Sequence, residues 1–202
     1  MKKILLLFCL FTSYTLYAQR FNGGALFGLN ASQVDGDTYA GYNKFGIALG
    51  AYVYTPLSKT VDIQLELKYM GKGANKKTTD ADPYKYTNQL DYIEIPVILR
   101  FKTSSRIDLE GGLGYGYLFN NSIKDAYGTT SSDELFKTSD WLGIAGIKYA
   151  ATDILSITMR FSYSFFNIRK GLSGSTNFRN GGAFNNLLSI GLTYELRFKQ
   201  KP

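Results

Sequence analysis

The chain has 202 residues, with 23 Lys and Arg against 16 Asp and Glu, a formal net charge of +7 and 45% hydrophobic residues. It contains no histidine, which closes the hydrolase chemistries that need an imidazole base near neutral pH. Its basic residues never run longer than two, as at Lys76-Lys77, so the charge reads as solvated or lumenal surface and not as a nucleic-acid stripe.

The N-terminus reads Met1-Lys2-Lys3, then an apolar run from Ile4 to Phe11, then Thr12 to Ala18. Two lysines, a short apolar core and a small residue at its end form a secretory signal. The run is far below the ~18 residues that span a bilayer as a helix. Cleavage after Ala18 leaves Gln19 first and assigns residues 19–202 to one domain. A lipoprotein signal on Cys9 is the poorer reading, because Phe8 precedes it and Cys9 lies inside the apolar core. Cys9 is the only cysteine, so the mature chain is expected to have no disulfide and no thiolate site.

Beyond residue 20 the pattern is a repeated alternation of apolar and polar residues, the period of a strand whose two faces meet different surroundings. Eight such stretches follow one another, near 22–31, 44–54, 61–70, 90–101, 106–119, 139–149, 154–168 and 186–198. In the third, Val61, Ile63, Leu65, Leu67 and Tyr69 interleave with Asp62, Gln64, Glu66 and Lys68. In the fourth, Pro96 lacks a backbone donor, so a bulge or a missed ladder bond is expected there. In the fifth, Gly112, Gly114 and Gly116 share one face and leave room for long partners such as Arg100, Arg160 or Tyr52. The sixth stretch is ambiguous, since Trp141, Ile147 and Tyr149 compete with Leu142 and Ile144 for the apolar face.

The gaps alternate. Those near 32–43, 71–89, 120–138 and 169–185 are long and polar; those near 55–60, 102–105 and 150–153 are short. Each stretch covers the ~9–11 residues that a tilted strand needs to cross a membrane. The pattern predicts an all-β fold: an eight-stranded antiparallel up-and-down transmembrane β-barrel of an outer membrane, with short turns and both termini on the periplasmic side. The tyrosine load, 16 Tyr with 14 Phe and a single Trp, suits a membrane–water boundary. Eight strands leave an interior that side chains fill.

The inward positions collect Glu66, Lys68, Glu94, Arg100, Asp108, Glu110, Arg160, Glu195 and Arg197. Charges of both signs in a narrow lumen are expected to pair, with Arg100 reaching Asp108 or Glu110 across the turn at 102–105. Other chemistry is thin. Asp35-Gly36-Asp37 lacks the further carboxylates of a calcium loop and reads as a turn, and Asp133-Glu134 reads as loop acid. Gly111 to Gly116 is not followed by the Lys-Ser/Thr of a phosphate loop. Lys72, Lys76, Lys77 and Lys85 fall in the second long gap, which reads as a solvated loop, with contact to anionic lipid head groups or polysaccharide as the alternative. No cofactor, metal site or catalytic group is expected.

Leu90-Asp91-Tyr92-Ile93-Glu94-Ile95-Pro96-Val97-Ile98-Leu99-Arg100 resembles the YIEIP-x-L-L stretch of the PorT-family outer-membrane barrels of Bacteroidetes-type bacteria. Leu65 to Gly73 resembles the ELxYxxKG strand of the same family, and Gly23 to Asn30 and Gly111 to Tyr117 fit its glycine-marked strands. The resemblance implies an eight-stranded outer-membrane barrel, for the most part of undefined role, whose namesake serves a protein-secretion apparatus. Phe198 is followed by Lys199-Gln200-Lys201-Pro202, so the usual terminal aromatic is internal here.

The expected function is that of a monomeric, non-enzymatic barrel acting through its outer loops or wall, in adhesion, envelope integrity or service to a secretion complex. Its expected partners are outer-membrane lipid and lipopolysaccharide, other envelope or secretion-system proteins, and no nucleic acid. Two alternatives remain open: a narrow gated channel, and a soluble lipocalin-like binder with apolar residues inside.

Overall fold

A computed structural model describes residues 21–37, 41–76, 86–125, 128–131, 135–170 and 182–196. The strands are β1 (Asn22–Asp35), β2 (Lys44–Pro56), β3 (Val61–Asn75), β4 (Thr87–Lys102), β5 (Ile107–Asp125), β6 (Gly128–Ser131), β7 (Ser139–Ala150), β8 (Leu155–Ser164) and β9 (Phe184–Leu196). All strand pairings are antiparallel. The hydrogen-bonded order is β4-β3-β2-β1-β9-β8-β7-β5, and β4 also pairs with β5, which closes the ring. Eight strands form the barrel. β6 hangs from the outer end of β5, Ser122 to Asp125 pairing with Gly128 to Ser131.

Facing follows the alternation. Leu67 is 57% exposed while Glu66 beside it is 1% exposed. Outward positions present an apolar wall, with Phe27, Leu49, Leu65, Ile95, Leu113, Met159 and Ile190 among its exposed side chains. On β9 this wall runs from Leu188 to Leu196. Nine residues at ~3.3 Å each, tilted by ~40°, span about 23 Å, close to the apolar band of a transmembrane barrel. The ambiguous stretch resolves on β7: Trp141, Ile147 and Tyr149 face out, and Leu142 and Ile144 are buried.

The short gaps become three turns of one design. Leu57 and Ser58 donate their backbone N–H groups to the Val61 carbonyl; Thr103 and Ser104 donate to Ile107; Ala151 and Thr152 donate to Leu155. In each turn the hydroxyl of Ser58, Ser104 or Thr152 accepts from two later backbone N–H groups. Side-chain oxygens that satisfy turn donors are the reason such residues favour turns.

At the opposite end the strands run further than the alternation indicated. β1 continues to Asp35, β3 to Asn75 and β5 to Asp125, and β4 begins at Thr87. Gly73 sits at φ 135°, and a Cβ there would lie 1.9 Å from the Asn88 carbonyl oxygen, so only glycine lets β3 pass β4. The expected irregularity at Pro96 takes the form of a gap in the β3–β4 pairing, which omits Ile95 and Pro96. The register shift lies elsewhere, between Asp91 and Tyr92, where Phe119 is the extra residue on β5. Asp35-Gly36-Asp37 is a turn, with Gly36 at φ 94° and Asp37 N–H donating to the Val34 carbonyl.

Replacing Leu65, mid-wall on β3, by arginine is expected to destabilise the folded barrel by about 2–4 kcal/mol. Urea titration of folding into phospholipid vesicles measures this; a change under about 0.5 kcal/mol would contradict a lipid-facing wall.

Candidate functional site: the lumen and its ion chain

The lumen holds one continuous chain of charged side chains. At its centre Glu66 accepts from Arg160 Nη1 at 2.9 and 3.0 Å, from Lys68 Nζ at 3.3 Å and from Gln64 Nε2 at 2.6 Å. Arg160 also grips Glu110 with two bonds, Nε to Oε2 at 2.6 Å and Nη2 to Oε1 at 3.1 Å. Towards the loop end, Lys68 lies 3.6 Å from Glu94, Glu94 lies 2.6 Å from Lys72, and Lys72 donates to Asp140 at 3.1 Å. Asn185 donates to Asp140 at 2.9 Å, and the Lys72 ammonium lies 4.6 Å from the Tyr92 ring centroid. The charged groups come from five strands, and the four carboxylate side chains of the chain are at most 2% exposed. Each carboxylate is held by at least one cation, as burial of charge requires.

Sequence reasoning placed some of these groups and missed others. Glu66, Lys68, Glu94, Glu110 and Arg160 meet in the chain just described. Arg100 does not reach Asp108 or Glu110; its Nη2 donates to Asp62 at 2.9 Å. Asp62 is its direct neighbour across β3–β4, and Glu110, its neighbour on β5, is already held by Arg160. Asp108 and Glu195 line the turn-end mouth, where Tyr54 donates to Glu195 at 3.0 Å. Arg197 lies outside the described residues. Lys72 is not a loop residue: it lies in β3, 1% exposed. It continues the inward parity of Asp62, Gln64, Glu66 and Lys68, but Gly71 and Gly73 hide the continuation. Asp140 was concealed by the ambiguous pattern of β7. Lys76 follows β3, and Lys77, Lys85, Asp133 and Glu134 lie outside the described residues.

The glycine faces also differ from expectation. Gly116 makes room for Tyr92, Asp140 and Glu94, and Gly114 for Leu142 and Ile144, not for Arg100, Arg160 or Tyr52. Gly146, on β7, accommodates Arg160: a Cβ there would lie 2.7 Å from Arg160 Cγ. Gly24 does the same for Tyr52, whose hydroxyl would lie 2.9 Å from its Cβ.

Above the ion chain, Val34, Ala74, Leu90, Tyr92, Leu118, Phe136, Ile168 and Ala183 form a buried apolar cluster. It caps the chain at the loop end. Deeper in, a void of about 30 Å³ beside Lys68, Met70 and Arg160 has room for water and little else. Among the described residues, three or more His, Cys, Asp or Glu side chains do not converge on a metal-sized site. Outside the wall, at the loop end, Asp35 accepts from Gln33 at 2.6 Å and Asn186 at 3.0 Å, and Tyr42 donates to Asn186 at 2.6 Å. Burial, then the Asp35 carboxylate, pushes the Tyr42 phenol above its usual pKa. Asp91 gathers Tyr69, Gln89 and Asn120 in the same way. These clusters mark the upper edge of the apolar wall.

A family model described as an outer membrane protein beta-barrel domain matches residues 17–170. The chain belongs to that family. It is therefore an outer-membrane β-barrel, and β9, beyond the match, completes the ring through β1 and β8. Neisserial surface protein A has the same fold, with a TM-score of 0.54 and 13% identity over 87% of this chain and 97% of that one. The attachment invasion locus protein Ail of Yersinia pestis, solved with the heparin analogue sucrose octasulfate, gives 0.52 and 13% over 88% and 99%. No curated protein matches the chain. With apolar groups outside and ions inside, the facing is the reverse of a lipocalin-like barrel.

Exchanging Lys72 for methionine leaves Glu94 and Asp140 buried beside a lost cation and is expected to destabilise the barrel by about 3–5 kcal/mol. The same exchange at the exposed Lys59 should change stability by under about 0.5 kcal/mol. Urea unfolding in vesicles compares the two; equal effects would contradict the chain's structural role.

Proposed function

We propose that residues 1–18 are a secretory signal and that residues 19–202 mature into a monomeric, non-enzymatic outer-membrane barrel acting through its outer loops or wall. The work this reading allows is adhesion, envelope integrity or service to a secretion complex. One observation carries it: the lumen is occupied by paired ions and capped by the apolar cluster around Leu90 and Phe136, which speaks against a route through the interior. What the molecule offers to others is then its surface. The segment from Tyr92 to Pro96 supports a PorT-type assignment and a Bacteroidetes-type envelope.

The partners in this reading are lipopolysaccharide and other anionic surface polymers, with envelope proteins as further contacts. Residues 169–183 carry Arg169, Lys170 and Arg179 and no acid, a composition suited to phosphate or sulfate groups. The Ail structure holds a polysulfated sugar, and the same probe serves here.

The full chain in lipid nanodiscs is expected to bind sucrose octasulfate in a salt-dependent manner. Changing Arg169, Lys170 and Arg179 together to glutamine should weaken this about tenfold. The same protein in planar bilayers is expected to give no steady single-channel conductance. Steady conductance, or binding indifferent to the triple change, would overturn the reading.

A further inference from the structure

The two ends of the lumen are built differently. The loop end is capped by apolar side chains, whereas the turn end opens into a polar vestibule of about 570 Å³. That volume lies within the ~300–1,000 Å³ of small-molecule sites. Arg100, Lys148, Asp108, Asp62, Tyr54 and Glu195 line it. In an up-and-down barrel the short turns and the termini face the periplasm, so the vestibule opens there.

Ion pairing is complete along the central chain and incomplete here. Lys148 is 7% exposed. Its ammonium lies 5.8 Å from the Tyr52 ring centroid, and among the described residues no carboxylate stands within ion-pairing distance of it. Arg100, 3% exposed, gives a carboxylate only its Nη2, and its Nε has no acceptor. Its guanidinium is held in place by the Tyr54 ring, 4.0 Å from Cζ to centroid. Asp108 faces Lys148 directly across β5–β7, yet the two form no ion pair. Lys148 thus stands without a carboxylate, Arg100 is paired with Asp62 but leaves its Nε without an acceptor, and Asp108 beside them is held by neither cation. Buried charge in this state is disfavoured unless a ligand supplies the missing partners.

We propose that this vestibule binds a small zwitterion from the periplasm, an amino acid or a short peptide with both ends free. Its carboxylate is taken by Arg100 and Lys148, and its ammonium by Asp108. A ligand with one charge alone leaves either the cations or the acid unmet. The rigid Tyr54–Arg100 stack supplies preorganisation, which lowers the ordering cost of binding.

The test uses the full chain in lipid nanodiscs and three probes: trialanine, its N-acetyl form and its C-terminal amide, titrated by calorimetry. Trialanine is expected to bind saturably below about 1 mM, and each blocked form about tenfold more weakly. Lys148→Met should weaken trialanine about tenfold, and Asp108→Asn should weaken trialanine but leave the N-acetyl form unchanged. The probe series on the unaltered protein stands even if a variant fails to fold. Absence of saturation by about 10 mM trialanine, equal affinity for all three probes, or an unaltered affinity in a folded Lys148→Met protein would each overturn the proposal.

Discussion

The structure depends on one constraint: a closed eight-stranded ring leaves an interior too narrow for bulk water. Backbone groups in the wall have no choice but the neighbouring strand, since hydrocarbon offers them nothing. Inward side chains face the same demand, because a buried charge without a partner is strongly disfavoured. The ion chain from Asp140 through Lys72, Glu94, Lys68, Glu66 and Arg160 to Glu110 answers it with alternating signs. Glycines at 116 and 146 answer it sterically, by making space for the side chains that pair.

This constraint divides the molecule's chemistry by height. At the centre each carboxylate has its cation, so the centre stabilises one arrangement. The loop end is sealed by apolar contact between strand residues such as Leu90 and loop residues such as Phe136 and Ile168. Among the described residues, the turn end combines a polar mouth with a buried cation, Lys148, that has no carboxylate beside it. The turn-end mouth is therefore a polar face of the barrel distinct from its apolar wall.

Likeness to Neisserial surface protein A and to Ail lies in the fold at 13% identity. The wall asks only for apolar character at alternate positions, and many sequences satisfy that. The lumen is more demanding. A grip such as Arg160 on Glu66 and Glu110 needs particular side chains at particular registers on β8, β3 and β5, with glycine opposite on β7. The individuality of this chain resides in that register and in its loops.

The sequence by itself determined the count of barrel strands, the alternation of short and long connections, the facing of the five strands that carry inward charge and the presence of both signs of charge inside. These are properties of period and composition, which local order carries. Only the tertiary structure decided who pairs with whom. Arg100 turned to Asp62, because the β3–β4 register sets them side by side and Arg160 had taken Glu110. Lys72 proved lumenal, because glycines at 71 and 73 interrupt the alternation while the strand itself continues. On β7, whether Asp140 and Leu142 or Trp141 and Ile147 faced inward was settled by what the neighbouring strands left room for. Partner choice in a barrel is a matter of stagger between strands distant in sequence, and stagger leaves no mark on the period of any one of them.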